Sequence, residues 1–269
     1  MTPEQLLKGE IMNRIHSFEW GDQPWFSDTL RLFMTDVLQY QMDTWHIYQP
    51  AISKIKFLLE KTKQSSIVDL CSGSGGPFAG FITHLKNDHP SLKVYLTDKF
   101  PHAAEQTDFG NFLEYLDEAV EANNVPPHLE GVRTIFSAFH HFSPEKARMI
   151  LQDAVHSESA IGVFEFTERK WINVLKVLFI VPLSILFQTP FIRPFSIQRL
   201  FWTYCIPAVP LFSAWDATVS HLRSYSVAEL RKLSSGLNSS ENYTWIAGQS
   251  EPATKTGIKV TWLLGYPSA

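Results

Sequence analysis

Apolar residues recur every three or four positions in the part of the chain before residue 65, which is the spacing of one face of an amphipathic helix. The residues that carry this pattern are Leu30, Phe33, Met34, Val37, Leu38, Met42 and Trp45, then, after Pro50, Ala51, Ile52, Ile55, Leu58 and Leu59. The pattern predicts two helices that lead into a short, mostly apolar run, Ile67–Leu70, which is typical of a buried strand.

Beyond residue 65, short apolar runs alternate with helical patterns. The predicted strands are Ile67–Leu70, Val94–Thr97, Phe112–Leu116, Arg133–Phe136, Ile161–Phe166, Tyr243–Ala247 and Ile258–Leu264. A helix over Phe78–Leu85 follows the first strand, and a helix that begins at Ser143 and Pro144 follows the fourth. Ser226 and Glu229 have the spacing of a capping box at a further helix start. No helix separates the last two strands, so we expect a mostly parallel sheet that ends in an antiparallel pair.

Composition limits the classes of partner. The chain of 269 residues has a formal net charge of −4 and an isoelectric point near 6.2, so it has no excess of basic surface for a nucleic-acid backbone. Its two cysteines, Cys71 and Cys205, are too few for a disulfide framework or a cysteine-rich zinc site. The first ten residues lack the basic and then apolar layout of a signal peptide. We therefore expect a cytoplasmic α/β protein.

The stretch VDLCSGSGG, residues 68–76, joins the first strand to the next helix. Gly73 and Gly75 allow the backbone to approach a ligand closely, and the helix N-terminus behind them offers free amide donors. Asp69 would repel a pyrophosphate of a dinucleotide but suits a cationic ligand. Asp98 ends the second strand, where it is placed to accept hydrogen bonds from ribose hydroxyls. The two acids together favour a ligand with a ribose and a cationic amino-acid part, such as S-adenosylmethionine.

The motifs VDLCSGSGG and VYLTD, with the late hairpin in YTWIAG and IKVTWLLGY, resemble those of class I S-adenosylmethionine-dependent methyltransferases. The resemblance covers roughly residues 67–266 apart from an apolar insertion. It implies a Rossmann-like α/β fold with a seven-stranded, mostly parallel sheet and a C-terminal antiparallel hairpin, to which the hydrophobic pattern adds N-terminal helices and an apolar helical insertion before the late strands. We therefore expect one methyltransferase domain over 1–269, with an N-terminal helical cap (1–64), a cofactor-binding core (65–168), the insertion as a substrate cap (169–222) and the end of the core (223–269).

The resemblance also implies S-adenosylmethionine as the cofactor and carries its binding residues over position by position. The methionine part is assigned to Asp69 and to the backbone of Cys71, Gly73, Ser74 and Gly75, the ribose to Asp98, the adenine to Glu121 with Ala122, and a place lining the site to Ser137. Cys71 stands where the family has its first glycine, which is tolerable if it keeps an ordinary backbone conformation. The alternatives are that Glu121 is a solvated turn residue, that Asp98 caps a helix and that Ser137 only turns the chain.

Methyl transfer to a hydroxyl requires a base that removes its proton. The stretch SAFHHF follows the fourth strand, and His140 or His141 is the candidate catalytic base because histidine titrates near neutral pH. Alternatively, the pair only hydrogen-bonds a helix end. Glu165, near the end of the fifth strand, is either an acid of the substrate pocket or a buried partner of Arg169. No cluster has the spacing of metal ligands, so no metal is expected.

The segment Trp171–Trp215 is strongly apolar and rich in proline. Its first part approaches membrane-spanning length, but Asn173, Lys176 and Pro182 interrupt it, so a true span is not expected. Three interpretations remain: a helical cap that walls an acceptor pocket, a peripheral membrane contact through residues 171–192 that collects a lipid-like substrate, or additional core.

The leading functional hypothesis is S-adenosylmethionine-dependent methyl transfer to a small apolar or aromatic acceptor, with O-methylation preferred. Cytosine-5 DNA methyltransferases have a similar glycine motif, but their Pro-Cys nucleophile has no counterpart at Cys71 or Cys205, and no nucleic-acid partner is expected. The alternatives are an NAD-dependent oxidoreductase, which Asp69 and the late antiparallel pair disfavour, and a non-catalytic binding protein on a methyltransferase scaffold.

Overall fold

The computed structural model describes residues 12–73, 75–101, 112–238, 240–253 and 256–268. Backbone contacts divide the chain into two compact units. We call residues up to 44 together with 167–225 the helical unit, and residues 45–166 together with 226–269 the sheet unit. The two predicted leading helices fall in different units in this division. The single-domain organisation stays a prediction.

The α-helices of the described residues are α1 Asp28–Thr44, α2 Ala51–Thr62, α3 Phe78–Asp88, α4 Pro144–His156, α5 Trp171–Gln188, α6 Ile197–Leu200, α7 Ala208–Arg223 and α8 Val227–Ser234. The strands are β1 Ser66–Leu70, β2 Lys93–Asp98, β3 Leu113–Ala119, β4 Val132–Phe136, β5 Ile161–Glu165, β6 Tyr243–Gln249 and β7 Thr261–Pro267. Short 3-10 turns lie at Phe139–His141, Thr189–Phe191 and Ser240–Asn242, and Phe201–Cys205 forms a π-helical turn.

The strands form one sheet in the order β3-β2-β1-β4-β5-β7-β6. Strands β1 to β5 run parallel, while β7 runs antiparallel to both β5 and β6. The predicted fold class, a seven-stranded and mostly parallel sheet with a C-terminal antiparallel hairpin, is confirmed. The order reverses at β1, between β2 and β4, and this is the position where open α/β sheets bind ligands.

Local sequence signals explain where the sheet unit's elements begin and why its centre is buried. The side chain of Ser143 caps α4 by accepting from the backbone amide of Lys146, with Pro144 in the first turn, and Ser226 and Glu229 form the predicted capping box of α8. Strands β4 and β5 are buried along their whole length, as expected for parallel strands covered on both faces. Helix α2 packs against β4, β5 and β7.

The helical unit is built around α5, which packs along α7. Its core cluster joins Phe33 and Val37 of α1 to Ile185 of α5 and Val209 of α7. Pro182 lies inside α5, and the helix continues past it to Gln188, so the insertion is helical as predicted. By length and composition, Trp171–Phe191 qualifies as a candidate membrane span, with a mean hydropathy of 1.8. Only 17% of an 18-residue apolar stretch within it is buried in the protein.

Candidate active site

Four parallel strands of the sheet unit bring polar side chains to one edge of the sheet. Asp69 is the penultimate residue of β1, Asp98 ends β2, Ser137 directly follows β4, and Glu165 ends β5. The carboxyl ends of parallel strands share one edge, so these residues lie at the same rim as the loop after β1. The predicted site residues are therefore gathered by the topology itself.

The loop after β1 has an unusual run of left-handed backbone. Cys71, Gly73, Gly75 and Gly76 have φ values of 59°, 53°, 121° and 60°. A Cβ added at Gly73 would meet nothing within 4 Å, so glycine is required there for its conformation and not for space. The condition set for a cysteine at position 71, an ordinary backbone conformation, is not met, because the φ of Cys71 lies in the left-handed region that glycine favours. Ser74, also predicted to contribute its backbone, lies outside the described residues.

Cys71 is poorly suited to nucleophilic chemistry. Burial raises the pKa of its thiol far above the ordinary value, and the nearby carboxylates of Asp98 and Asp69 raise that pKa further. A thiol held in its protonated form reacts slowly as a nucleophile. The contribution of Cys71 to this loop is therefore its backbone.

Asp69 lies beneath the loop. Its carboxylate accepts hydrogen bonds from the hydroxyls of Thr134 on β4 (2.6 Å) and Ser72 in the loop (2.7 Å), and the residue is 1% exposed. Burial raises the pKa of Asp69 to about 7, against the lowering effect of these two hydrogen bonds. Through these two hydrogen bonds Asp69 fixes the loop to the sheet. Its assignment to the methionine part of the cofactor stays a prediction.

Asp98 holds the same loop from the neighbouring strand. Its carboxylate accepts from the backbone amides of Gly73 and Phe100, both at 3.0 Å. The hydroxyl of Tyr115 on β3 donates to the carbonyl of Gly73 at 3.0 Å. Asp98 is half-buried, and each carboxylate oxygen has more than one lone pair. It therefore retains the capacity to accept from ligand hydroxyls beside the glycine loop.

The residues predicted for the adenine lie just beyond β3. Ala122 is buried, whereas Glu121 is exposed and forms an ion pair with Lys99 at 2.8 Å. The ammonium of Lys99 lowers the pKa of Glu121. Since Lys99 directly follows Asp98 and the amide of Val120 donates to the carbonyl of Asp98, this segment borders the end of β2. The assignment of the pair to adenine stays a prediction.

His140 and Glu165 form a buried pair at the ends of β4 and β5. The carboxylate accepts from His140 Nδ1 at 2.7 Å and from the His140 backbone amide at 3.2 Å, and both side chains are almost fully buried. With Nδ1 donating to the carboxylate oxygen, Nε2 is the ring nitrogen that keeps a lone pair. The ring of His141 lies 4.3 Å from that of His140, tilted by 33°. The structure thus gives His140 an orienting acid.

Tyr48 is a site residue that the sequence reasoning missed. Its hydroxyl is hydrogen-bonded to that of Ser137, which has a left-handed φ of 49°. Burial raises the pKa of Tyr48 well above its usual value, and Glu165 adds to the rise, so the group remains a neutral phenol. Its ring meets Phe136, and Phe136 stacks on Phe164 at 4.9 Å. A lone Tyr in a turn before Pro50 carries no local motif, and only the fold places it beside Ser137.

Comparisons of the sequence and of the structure differ in what they detect. No family model and no curated protein sequence matches the chain. Solved structures of the plantazolicin methyltransferase BpumL do match. Its complex with SAH has a TM-score of 0.56 at 13% identity, covering 92% of this chain and 94% of the other. Its complex with a pentazolic desmethylPZN analog and SAH has a TM-score of 0.57 at 14% identity, covering 91% and 94%.

The chain has the class I methyltransferase fold. At these identities the likeness concerns the fold, and it extends over nearly the whole chain. The methyltransferase fold accounts for the reversed strand order at β1 and for the antiparallel β7 between β5 and β6. It leaves the roles of individual side chains to be argued from their own chemistry.

Proposed function

We propose that the protein binds S-adenosylmethionine at the loop after β1 and transfers its methyl group to a hydroxyl of a small apolar or aromatic acceptor. The observation that carries this proposal is the acid, glycine loop and acid arrangement, in which Asp69 and Asp98 hold the loop from two neighbouring strands. A methyltransferase fold with this loop at the point of strand reversal favours a ribose-bearing ligand over other small molecules.

The described residues fit this cofactor. The carboxylate of Asp98 is half-buried beside Gly73 and has lone pairs left for ribose hydroxyls. Space is open at Gly73, where an added Cβ would meet no atom within 4 Å. When bound, S-adenosylmethionine supplies an electrophilic methyl group and a neutral thioether leaving group. The residues of the chain bind and orient the two reactants and move one proton.

His140 is the proposed base. With Nδ1–H donated to Glu165, Nε2 is the nitrogen that takes the proton from the acceptor hydroxyl as the oxygen attacks the methyl group. Glu165 stabilises the imidazolium that forms, since their contact becomes a charge-assisted hydrogen bond. Burial of both side chains strengthens that contact by excluding water. His141 is the alternative base, and the variants described in the Discussion distinguish it from His140.

The acceptor class is inferred from aromatic rings. Tyr48, Phe136 and Phe164 meet at the ends of β4 and β5, next to Ser137 and Glu165, and apolar surroundings suit an apolar or aromatic acceptor. BpumL has been crystallised with monoazolic and pentazolic desmethylPZN analogs, and azoles are aromatic rings. The net charge of −4 argues against a nucleic-acid acceptor.

Calorimetry with S-adenosylhomocysteine tests the cofactor assignment. We expect saturable binding by the full chain, no binding of NAD, and a strongly weakened signal in Asp98→Ala. Transfer of labelled methyl from S-adenosylmethionine to a panel of phenols and aliphatic alcohols then tests the reaction. Absence of heat with S-adenosylhomocysteine would overturn the proposal. Binding without transfer to any of a broad panel would favour a non-catalytic protein on this scaffold.

A further inference from the structure

Helix α5 presents an apolar face to the outside of the protein. Ile172, Leu175, Phe179, Leu183 and Phe187 recur at helical spacing, and each is between 52 and 75% exposed. We call these five residues the α5 apolar face. A surface helix of a soluble protein normally directs polar side chains outward. On this face of α5 the exposed side chains are apolar instead.

Three uncharged polar side chains of α5, Asn173, Ser184 and Gln188, are hydrogen-bonded to neighbouring side chains of the helical unit instead. Gln41 of α1 donates its side-chain amide to Ser184 Oγ at 3.2 Å and to Gln188 Oε1 at 2.9 Å. Asn173 donates to Glu168 at 3.1 Å. A helix whose hydrogen-bonding groups face inward and whose apolar groups face outward is suited to an environment that offers few hydrogen bonds, as the acyl region of a bilayer does.

Large apolar residues continue past the end of α5. Phe191, Phe195 and Ile197 are between 57 and 76% exposed, and Arg193 beside them is exposed. Contiguous exposed apolar surface of this extent is rare on soluble monomers and marks an interaction site. The α5 apolar face is thus part of a longer apolar surface of the helical unit.

The charge of this segment indicates which kind of partner the apolar surface binds. The segment from Arg169 to Trp215 has five lysines and arginines and no aspartate or glutamate, and two of the five, Arg169 and Arg199, are buried. Lys176 and Arg193 in this segment are exposed. Basic residues bordering an apolar helical face favour the surface of a bilayer that contains anionic lipid.

The packing of α5 favours an interfacial position over a transmembrane one. Its inner side is fixed to α7 and α1, and α1 carries exposed charge at Asp28. A helix attached along one side to a charged neighbour cannot be surrounded by lipid, but it can lie flat with its outer side in the interface. Its 18 residues span ~27 Å along that plane.

We propose that the α5 apolar face docks the protein on an anionic bilayer surface, with Phe179, Leu183 and Phe187 inserted among the lipids. The proposal does not depend on the reaction catalysed by the sheet unit. It assigns the apolar insertion an interaction role with lipid as the partner.

Co-sedimentation of the full chain with vesicles tests the proposal. We expect the protein to pellet with phosphatidylcholine vesicles that contain phosphatidylserine, and several-fold less with phosphatidylcholine alone. The triple variant Phe179→Gln, Leu183→Gln and Phe187→Gln should lower partitioning at least tenfold. A matched variant in the sheet unit, Met149→Gln with Ile246→Gln, also removes exposed apolar residues and should bind as the wild type does. Lys176→Glu with Arg193→Glu should abolish the preference for phosphatidylserine.

Circular dichroism and thermal unfolding verify that each variant is folded. Wild-type protein that stays in the supernatant with both vesicles overturns the proposal, as does a triple variant that pellets like the wild type. Light scattering tests whether a second copy of the chain covers this face instead. A dimeric wild type and a monomeric triple variant, with no vesicle binding by either, would assign the face to a second copy of the chain.

Discussion

Both units of the chain bury polar side chains, but the large apolar side chains that are exposed among the described residues lie mostly in the helical unit. In the sheet unit, Asp69, Thr134, His140 and Glu165 are buried and hydrogen-bonded to one another in pairs. In the helical unit, Gln41, Ser184 and Gln188 bond on the inner side of α5 and large apolar side chains face out.

This difference underlies the two proposals, a catalytic site in the sheet unit and a docking surface in the helical unit. Buried and paired polar groups fix a site in one geometry, as chemistry requires. An exposed apolar surface is costly in water and is retained where a partner covers it. If the units are functionally separate, variants of the sheet unit should change cofactor binding or turnover and leave vesicle binding unchanged. The predictions below test this separation.

The largest effect is expected for His140→Gln. Glutamine can still donate to Glu165 but cannot take a proton at neutral pH, so kcat should fall about 10²- to 10⁴-fold with S-adenosylhomocysteine affinity retained. The measurement is steady-state methyl transfer to the best acceptor of the panel, with calorimetry on the same samples. His141→Gln is the comparison and should have a small effect. Loss of turnover in His141→Gln alone would show that His141 is the base.

Asp69→Asn should change the pH dependence of stability. The folded-state pKa of Asp69 is about 7, raised from 3.8 by burial, so between these values the native state binds more protons than the unfolded state. The free energy of unfolding of the wild type therefore falls as pH rises from about 4 to 7, by roughly 3 kcal/mol from this group.

The variant lacks that contribution, so the difference between its free energy of unfolding and that of the wild type should become more positive from pH 5 to pH 8. Urea unfolding at the two pH values measures it. Asp117→Asn, which changes an exposed carboxylate on β3, is the matched control and should follow the wild type. An Asp69→Asn variant with the same pH dependence as the wild type would show that this carboxylate is not desolvated in solution.

Asp98→Asn should weaken cofactor binding. The variant loses the charge that assists hydrogen bonds from ribose hydroxyls, a contribution of about 1.5 to 3 kcal/mol, or roughly tenfold or more in Kd. Calorimetry with S-adenosylhomocysteine measures the change, and Asp117→Asn again serves as the control. Unchanged affinity would place the ribose elsewhere. Unchanged vesicle binding by the variant would sharpen the separation of the two units.

The smallest effect is expected for Cys71→Gly. Glycine relieves the left-handed conformation at φ 59° but gains conformational freedom in the unfolded chain, so we expect a net stabilisation of about 0.5 kcal/mol. Thermal unfolding measures it. Cys71→Ala removes the thiol and keeps the Cβ, so it should show no such gain. Equal gains in both variants would trace the effect to the sulfur and not to the backbone.

Much of the fold could be predicted from the sequence. Strands β1, β2, β4 and β5 are short apolar runs with clear ends, and the helix starts at Ser143 and Ser226 carry their own capping signals. These signals are local, so they can be recognised without knowledge of the tertiary structure. The position of Asp98 beside Gly73 followed from the general rule for parallel sheets, since both lie at carboxyl ends of neighbouring strands.

Side-chain partners could not be predicted in the same way. The sequence placed Asp69 at a strand end, but only the register of β1 with β4 brings Thr134 opposite and turns the carboxylate inward. Tyr48 and Ser137 are 89 positions apart, so no local pattern relates them. The direction of Ser184 and Gln188 depends on Gln41 in another helix. The left-handed conformation of Cys71 depends on the whole loop around it.

The inward hydrogen bonds of α5 have a practical consequence for work with this protein. Because Ser184 and Gln188 are anchored to Gln41, the hydrogen bonds that hold this side of the helix do not involve its exposed apolar positions. Substituting several of those positions with lysine and glutamate should therefore raise the solubility of the protein and leave the helix folded.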